Sequence, residues 1–187
     1  MRCRIAVLAL LVMPWFAAPA AEQHDWPSQS LYQLDVALTN QDGRTHGLDV
    51  HAGHPVLVTM FYGSCPATCP LIMETLRAIE QATPAATRMQ LRVLMISIDP
   101  ERDSVASLSA LARTRRLDTS RWTLARTDAA NVRKIAAALN VQYRQLPNGD
   151  FNHSNVISVL TTQGEIVRQS SVIGRADQDL LAALKSL

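Results

Sequence analysis

Apolar runs alternate with amphipathic segments along this chain of 187 residues. Residues 56–62 form an apolar run rich in β-branched side chains, a pattern typical of a strand that is buried on both faces, and the largely apolar residues 91–98 predict a second buried strand. Between them, apolar residues recur at helical spacing from Pro70 and stop before Pro84. The pattern predicts a β-α-β unit whose two strands lie inside the protein.

The alternation continues to the C-terminus. Ser104 and Asp128 each precede a segment of helical periodicity and are predicted to cap a helix. Further elements are predicted at residues 31–38 and 45–50 (an N-terminal hairpin), 122–126 (a strand), 155–161 and 165–170 (a second hairpin) and 177–187 (a helix). This order predicts an α/β, thioredoxin-like fold, in which helices flank a central mixed sheet that follows an N-terminal β-hairpin.

The first residues differ from the rest of the chain. Arg2 and Arg4 precede an apolar run over residues 5–16, and Ala18-Pro19-Ala20 supplies the small residues of a cleavage site. Residues 1–20 are therefore predicted to be an export signal. The apolar run is shorter than a membrane span usually requires, so an uncleaved N-terminal anchor is the less favoured alternative.

The composition changes after this segment. Residues 21–30 are polar and are predicted to be a flexible lead-in, and residues 31–187 are long enough to bury the core of one domain. The chain has 18 basic and 16 acidic residues, and loss of the signal with its two arginines makes the counts equal. A neutral domain lacks the basic surface of nucleic-acid binders, so no such partner is expected. We expect a monomeric exported protein, either periplasmic or tethered to the inner membrane on its periplasmic side.

Two cysteines, Cys65 and Cys69, stand where the first buried strand passes into its helix. Each precedes a proline, which disfavours the helical conformation, so both are expected to be extended, with Cys69 as the helix N-cap. The N–H groups and the dipole at a helix start favour a thiolate, the form that binds metals and attacks disulfides. A spacing of four residues is too wide for a disulfide on a continuous helix, but a loop can bring the sulfurs together. The pair can serve either a disulfide or a shared soft metal ion.

Further candidates for the same site come from the ends of other strands. His153 is predicted to open the strand at residues 155–161, and Asp99 follows the second buried strand. An imidazole beside two thiolates suits copper, whereas a structural zinc site needs four protein ligands. The loop of residues 99–103 is interpreted either as a turn and helix cap or as a support or docking loop beside the site, with Asp99 as its candidate residue. The remaining histidines of the domain, His46, His51 and His54, are predicted to face solvent.

These residues carry a resemblance to a known family. The motifs are Cys65-Pro66 with Cys69-Pro70 after an aromatic strand end, the loop Ile96-Ser97-Ile98-Asp99-Pro100-Glu101-Arg102-Asp103, and His153-Ser154 before a late strand. Together they resemble the Sco/SenC family of thioredoxin-fold copper proteins. Two positions depart from the family pattern, since Ala67 stands in place of an acidic residue and Phe151-Asn152 in place of Val-Asp.

The resemblance implies a function as well as a fold. It implies an exported copper chaperone in which Cys65, Cys69 and His153 bind Cu(I) or Cu(II). It also implies a client cuproprotein, a subunit of cytochrome c oxidase, whose binuclear copper site receives the metal or whose cysteines are reduced during assembly.

Two enzyme classes compete with this prediction. A periplasmic thiol-disulfide oxidoreductase would attack a client disulfide with its more accessible thiolate and resolve the intermediate with the other. By resemblance, thioredoxin-type reductases have two residues between their cysteines and a proline before the facing strand, whereas this chain has three and His153-Ser154-Asn155 there. A peroxidase-like thiol enzyme would give His153 no task. We favour copper binding, because thiol exchange needs no histidine.

Overall fold

The structure is a computed structural model that describes residues 25–65 and 68–187. The predicted export signal, the first residues of the lead-in and Ala67 lie outside these ranges. The strands are β1 (Leu38–Asn40), β2 (Thr45–His46), β3 (Val56–Phe61), β4 (Arg92–Ser97), β5 (Trp122–Arg126), β6 (Tyr143–Gln145), β7 (Phe151–His153), β8 (Ile157–Leu160) and β9 (Ile166–Ser170). The helices are α1 (Thr68–Ala82), α2 (Ala85–Gln90), α3 (Val105–Thr114), α4 (Ala129–Ala138) and α5 (Gln178–Lys185).

Seven strands form one mixed sheet in the order β2-β1-β5-β4-β3-β8-β9. The central strands β3, β4 and β5 are parallel, and the strands on either side of them are antiparallel. Every residue of β3 is buried, as its unbroken apolar sequence predicts. Helix α1 contacts α5 and, through a hydrogen bond from Arg77 to the carbonyl oxygen of Arg115, the end of α3. The predicted α/β class, with a central mixed sheet flanked by helices, is confirmed.

The helix boundaries follow the local signals where side chains cap the helix start. The Ser104 hydroxyl accepts the N–H of Ser107, and the Asp128 carboxylate accepts the N–H groups of Ala130 and Asn131. Both predicted caps are confirmed. A hydroxyl or carboxylate at this position satisfies N–H groups that have no partner inside the helix.

Helix α1 begins at Thr68, two residues before the predicted start, so the prediction that Cys69 is its N-cap is wrong. Pro70 is compatible with the first turn because the N–H groups there have no intrahelical acceptor, so the absence of one N–H costs little. The restriction that Pro70 imposes on Cys69 is a steric preference, which the surrounding contacts override.

Two further local predictions need correction, and two elements were not anticipated. Residues 31–38 do not form a strand: a 3-10 helix at Leu31–Gln33, capped by the Ser30 hydroxyl, takes the first part, and only the short β1 pairs with β2. A second 3-10 helix at Leu48–His51 replaces most of the predicted return strand. Helix α2 and the separate β6-β7 sheet were not anticipated from the sequence.

The residues that precede the first 3-10 helix contact the domain. The ring of Trp26 meets that of Tyr32 edge to face, with 5.1 Å between centroids. Ser30 pairs with Glu165 in an antiparallel bridge and is buried. The part of the predicted flexible lead-in that the structure describes is therefore packed on the body of the protein. In residues 25–65 and 68–187, no helix has the length and apolar character that crossing a membrane requires.

The histidines near the N-terminal hairpin are half-buried, so the prediction that they face solvent is wrong. His51 Nε2 lies 3.0 Å from the hydroxyl of Thr123, and His54 Nε2 lies 3.3 Å from a guanidinium nitrogen of Arg92. Folding lowers the pKa of His51 from 6.5 to about 4, mainly because burial disfavours the imidazolium and then because Arg92, His46 and His54 repel it. The 3-10 helix at Leu48–His51 replaces the strand alternation from which an outward-facing His51 was expected.

We expect the free energy of unfolding to fall as the pH drops from about 6.5 towards 4, because the unfolded chain takes up a proton on His51 that the folded chain excludes. The loss should be about 1–3 kcal/mol after allowance for solvent screening. Urea unfolding at pH 7 and pH 5 measures it. The His51→Gln variant, which cannot take up this proton, should lose less stability over the same interval, and equal losses in both proteins would contradict the assignment.

Candidate metal centre

The predicted site residues lie at one end of the central sheet. The strands β3 and β4 are parallel, so the loops that follow them emerge at the same end. The N–H of Ile98 donates to the carbonyl oxygen of Phe61 at 2.8 Å and holds the two strand ends together. In the antiparallel β8, Ile157 pairs with Thr59, so the segment that precedes β8 arrives at this end too. The topology therefore brings the cysteine loop, the Asp99 loop and His153 to a common neighbourhood.

The two cysteine side chains are in contact with each other. No disulfide joins Cys65 to Cys69, and the N–H of Cys69 donates to the sulfur of Cys65 at 3.3 Å. The Cys65 sulfur thus occupies the place of an N-cap acceptor at the start of α1, where the helix dipole favours negative charge. Of the two sulfurs, it is the one that receives the thiolate-favouring environment predicted for this junction.

The environment of Cys69 is different. Its side chain is 4% exposed, whereas that of Cys65 is half-buried. Burial raises the pKa of the Cys69 thiol, a backbone hydrogen bond from Tyr62 opposes that increase, and the hydrogen bond and charge of Cys65 add smaller increases. The pair is therefore chemically asymmetric, with an accessible sulfur at the helix start and a buried, protonated one behind it.

Asp103 is a residue of this neighbourhood that sequence reasoning missed. Its carboxylate accepts the N–H of Gly63, with 2.9 Å to Oδ2, and the hydroxyl of Ser97, and the side chain is 3% exposed. Burial raises the pKa of Asp103, and its hydrogen bonds oppose that effect. A Cβ atom on Gly63 would lie 2.5 Å from Oδ1, so only glycine leaves room for the carboxylate. The signal in the sequence was an acidic residue at the end of the turn that follows β4, the strand that pairs with β3, and β3 leads into the cysteine loop.

Asp99 makes its contacts within its own loop. Its N–H donates to the Ser97 hydroxyl at 2.9 Å, and its carboxylate forms an ion pair with the guanidinium of Arg102. Asp99 thus has the contacts of a turn residue. Its supporting role beside the site stays a prediction, and the ion pair with Arg102 is the contact through which it would act.

His153 is the last residue of β7, in the two-stranded sheet that β7 forms with β6, and the prediction that it opens the late strand is wrong. Its Nδ1 lies 3.1 Å from the carbonyl oxygen of Ser154, and because a carbonyl oxygen can only accept, Nδ1 carries the proton. Burial lowers the pKa of His153 and so favours the neutral ring. In that tautomer Nε2 has a lone pair, and an Nδ1–H bound to a backbone carbonyl is the usual support of a metal-binding histidine.

Tyr62 connects the thiols with the imidazole. Its ring centroid lies 5.8 Å from that of His153 and 5.5 Å from that of Phe151. Its hydroxyl lies 3.4 Å from the carbonyl oxygen of Phe151. Burial, followed by a hydrogen bond with Cys65 and the charge of that residue, raises the pKa of Tyr62 to about 12. Sequence reasoning noted the aromatic strand end but did not assign Tyr62 to the site.

The three predicted ligands are close to each other but not assembled. Cys65 and Cys69 touch, and Tyr62 contacts both Cys65 and His153. Within residues 25–65 and 68–187, no three His, Cys, Asp or Glu side chains lie close enough together to hold a metal ion. The donor types nevertheless fit a soft ion, because two sulfurs and one lone-pair imidazole are what Cu(I) accepts in low coordination.

The sequence and the fold were compared with known proteins. A family model described as SCO1/SenC matches residues 26–187. No curated protein matches the sequence.

Solved structures share the fold at low sequence identity. A SCO1/SenC family lipoprotein from Bacillus anthracis str. Ames is 20% identical, with 83% of this chain and 95% of that chain covered and a TM-score of 0.73. ScoI from Bradyrhizobium japonicum, solved with copper bound, is 22% identical, with coverage of 81% and 96% and a TM-score of 0.66. BsSco, a member of the Sco family of cytochrome c oxidase assembly proteins in which a disulfide switch was identified, is 18% identical, with coverage of 87% and 97% and a TM-score of 0.67.

These likenesses establish the Sco thioredoxin-like architecture of the domain. The family match adds the evidence from sequence, since it extends over almost all of the residues that the structure describes. The chain therefore belongs to the SCO1/SenC family.

Proposed function

We propose that this protein is a copper chaperone that holds one copper ion through Cys65, Cys69 and His153 and passes it to a client cuproprotein during assembly of cytochrome c oxidase. Membership of the SCO1/SenC family supports the proposal. So do the copper found in ScoI and the assembly role of the family to which BsSco belongs.

The observation that carries the proposal is a pair of cysteines in contact, in which the Cys65 sulfur accepts the N–H of Cys69 and is hydrogen-bonded to its thiol. Tyr62 links this pair to an imidazole whose lone pair is on Nε2. A dithiolate without a nearby histidine would serve disulfide exchange equally well. The hydrogen bond from His153 Nδ1 to Ser154 has no use in such exchange, but it orients and polarises a ring that binds a metal.

The asymmetry of the two sulfurs suits a cargo that must be both held and released. Cys65, at the helix start, can receive or surrender the ion by ligand exchange, while Cys69 holds it from the buried side. Binding must displace the proton of Cys69, whose pKa is raised by burial, so copper affinity should increase with pH.

The same proposal includes an exported location. Residues 1–20 act either as a cleaved signal or as a tether that leaves residues 31–187 in the periplasm, next to a membrane-bound client. The lipoprotein from Bacillus anthracis, a relative in fold, is consistent with a membrane-associated site of action.

A thiol-disulfide oxidoreductase is the second candidate, and the same asymmetry favours it. An accessible sulfur at a helix N-terminus with a buried thiol beside it is the arrangement of an attacking and a resolving cysteine. The disulfide switch identified in BsSco, which has a similar fold, is an example of redox chemistry in this architecture. In this role the protein would reduce the cysteines of its client rather than deliver the metal.

We expect the reduced protein to bind one copper ion per chain and to show thiolate-to-copper charge-transfer absorption when Cu(II) is added. His153→Ala should weaken binding by about tenfold or more and change the absorption, because it removes the third ligand. Competition titration with a copper chelator, together with absorption spectra, measures both. The matched control is His54→Ala, which removes a histidine at the opposite end of β3 and should change neither. If His153→Ala also changes neither, the three-ligand proposal fails.

Alkylation rates distinguish the reactivities of the two cysteines. At pH 8 we expect iodoacetamide to modify Cys65 at least about tenfold faster than Cys69, because Cys69 is buried and its protonated form is favoured. Mass spectrometry of timed samples of the folded protein gives the two rates. The difference should vanish in urea, and equal rates in the folded protein would contradict the asymmetry.

An insulin-disulfide assay distinguishes the two functions. We expect slow reduction compared with a thioredoxin, because copper transfer does not require efficient turnover of a disulfide. A rate comparable to that of thioredoxin, lost in Cys65→Ser and unaffected by His153→Ala, would favour the oxidoreductase.

A further inference from the structure

The hairpin of residues 142–154 carries His153 but is not part of the central sheet. Its strands β6 and β7 pair only with each other among the strands that the structure describes. An isolated two-stranded hairpin is marginal in water. Side-chain contacts with the rest of the protein must therefore decide where this hairpin, and with it His153, is held.

One of these contacts is made at the hairpin tip by Arg102. Its Nη2 donates to the carbonyl oxygen of Gly149 at 2.6 Å, and its guanidinium carbon lies 5.9 Å from the ring centroid of Phe151. Its Nε is bound by the carboxylate of Asp99, which fixes the plane of the guanidinium from the side of the β4 loop. A single side chain thus joins the loop that follows β4 to the turn of the hairpin and to the first residue of β7.

A second set of contacts is made by the aromatic cluster of Tyr62, Tyr143 and Phe151 next to the thiols. The Phe151 ring meets Tyr62 on the cysteine side and Tyr143 across the hairpin, with centroid distances of 5.5 Å and 6.3 Å. Because Arg102 packs on the same Phe151 ring, the guanidinium is linked through Phe151 and Tyr62 to the edge of His153. These contacts are contiguous, and each is made by a side chain rather than by the backbone ladder of a sheet.

We propose that Arg102 is the positioning residue of the copper site: it latches the hairpin of residues 142–154 onto the β4 loop and so holds His153 within reach of Cys65 and Cys69. The proposal rests on the proposed copper-binding function. It gives the Asp99-Arg102 pair a task, in which Asp99 orients the guanidinium and Arg102 orients the hairpin. It also predicts that Arg102 affects the position of His153 without contacting the metal.

The chemistry of the contact requires arginine. The planar guanidinium presents several donors in a fixed fork, so it can bind a carboxylate, a carbonyl oxygen and an aromatic face at the same time. Lysine at position 102 would retain the positive charge but has one small ammonium group for all three partners. Arg102→Lys should therefore rescue the latch only in part.

The first test needs no metal. Hydrogen exchange of the backbone amides of residues 142–154, followed by NMR or mass spectrometry, should become about tenfold faster or more in Arg102→Ala, about threefold faster in Arg102→Lys, and remain unchanged in the control Arg168→Ala, which removes an exposed arginine from β9. Exchange in β3 and β4 should stay as in the parent protein. Unchanged exchange in the hairpin of Arg102→Ala would overturn the latch, and faster exchange throughout the protein would reduce Arg102 to a general structural residue.

The second test asks whether the latch acts through His153. We expect Arg102→Ala to weaken copper binding by about tenfold in the parent protein but by less than about twofold when His153→Ala is already present. Equal losses in both backgrounds would contradict positioning of His153. If the parent protein binds no copper, the proposed function fails, while the exchange experiment still decides whether Arg102 holds the hairpin.

Discussion

The buried carboxylate of Asp103 ties together the two strand ends on which the site is built. It accepts the N–H of Gly63, just after β3, and the hydroxyl of Ser97, at the end of β4. A buried carboxylate is costly unless its oxygens are hydrogen-bonded, and both partners here are supplied by segments that the central sheet holds in place. The cysteine loop therefore leaves β3 in a fixed direction, with glycine required at the point of closest approach.

The same carboxylate affects the chemistry of the thiols. Its negative charge adds to the burial that raises the pKa of Cys69, while the Cys65 sulfur accepts a helix N–H and lies nearer to solvent. The two sulfurs are unequal mainly because Cys69 is buried, and the carboxylate adds a small contribution to that difference. Unequal sulfurs are useful to a protein that must bind a soft ion firmly and release it to a client, because exchange can begin at one ligand while the other still holds.

The third donor is held by weaker means than the first two. Cys69 is part of helix α1, whereas His153 is on a hairpin whose strands pair only with each other in the part of the chain that the structure describes. Tyr62 contacts both Cys65 and His153, and Arg102 attaches the hairpin tip through Phe151. In the proposed copper site, the imidazole on this separate hairpin is the donor that could leave first, and transfer by ligand exchange requires such a change in coordination.

Local patterns were sufficient for the features that depend on neighbours in sequence. The apolar runs of β3 and β4, the caps Ser104 and Asp128, and the strand-to-helix position of the cysteines could all be read from the chain, because burial periodicity and capping act over a few residues. The family motifs extended this reading to the fold and to the candidate donors.

Tertiary structure decided which groups meet. The sequence could not show that Asp103, rather than Asp99, contacts the cysteine loop, since both follow β4 and only the packing of the turn separates them. Sequence analysis also predicted that His46, His51 and His54 face solvent, whereas the fold half-buries them. It predicted that His153 opens the strand now called β8, whereas His153 ends β7 in a separate hairpin. The sequence by itself determined the buried strands β3 and β4, the caps Ser104 and Asp128, and the types of the candidate donors. The pairing of distant segments determined the asymmetry of the sulfurs and the position of the imidazole, because burial and charge at a site depend on groups far apart in the chain.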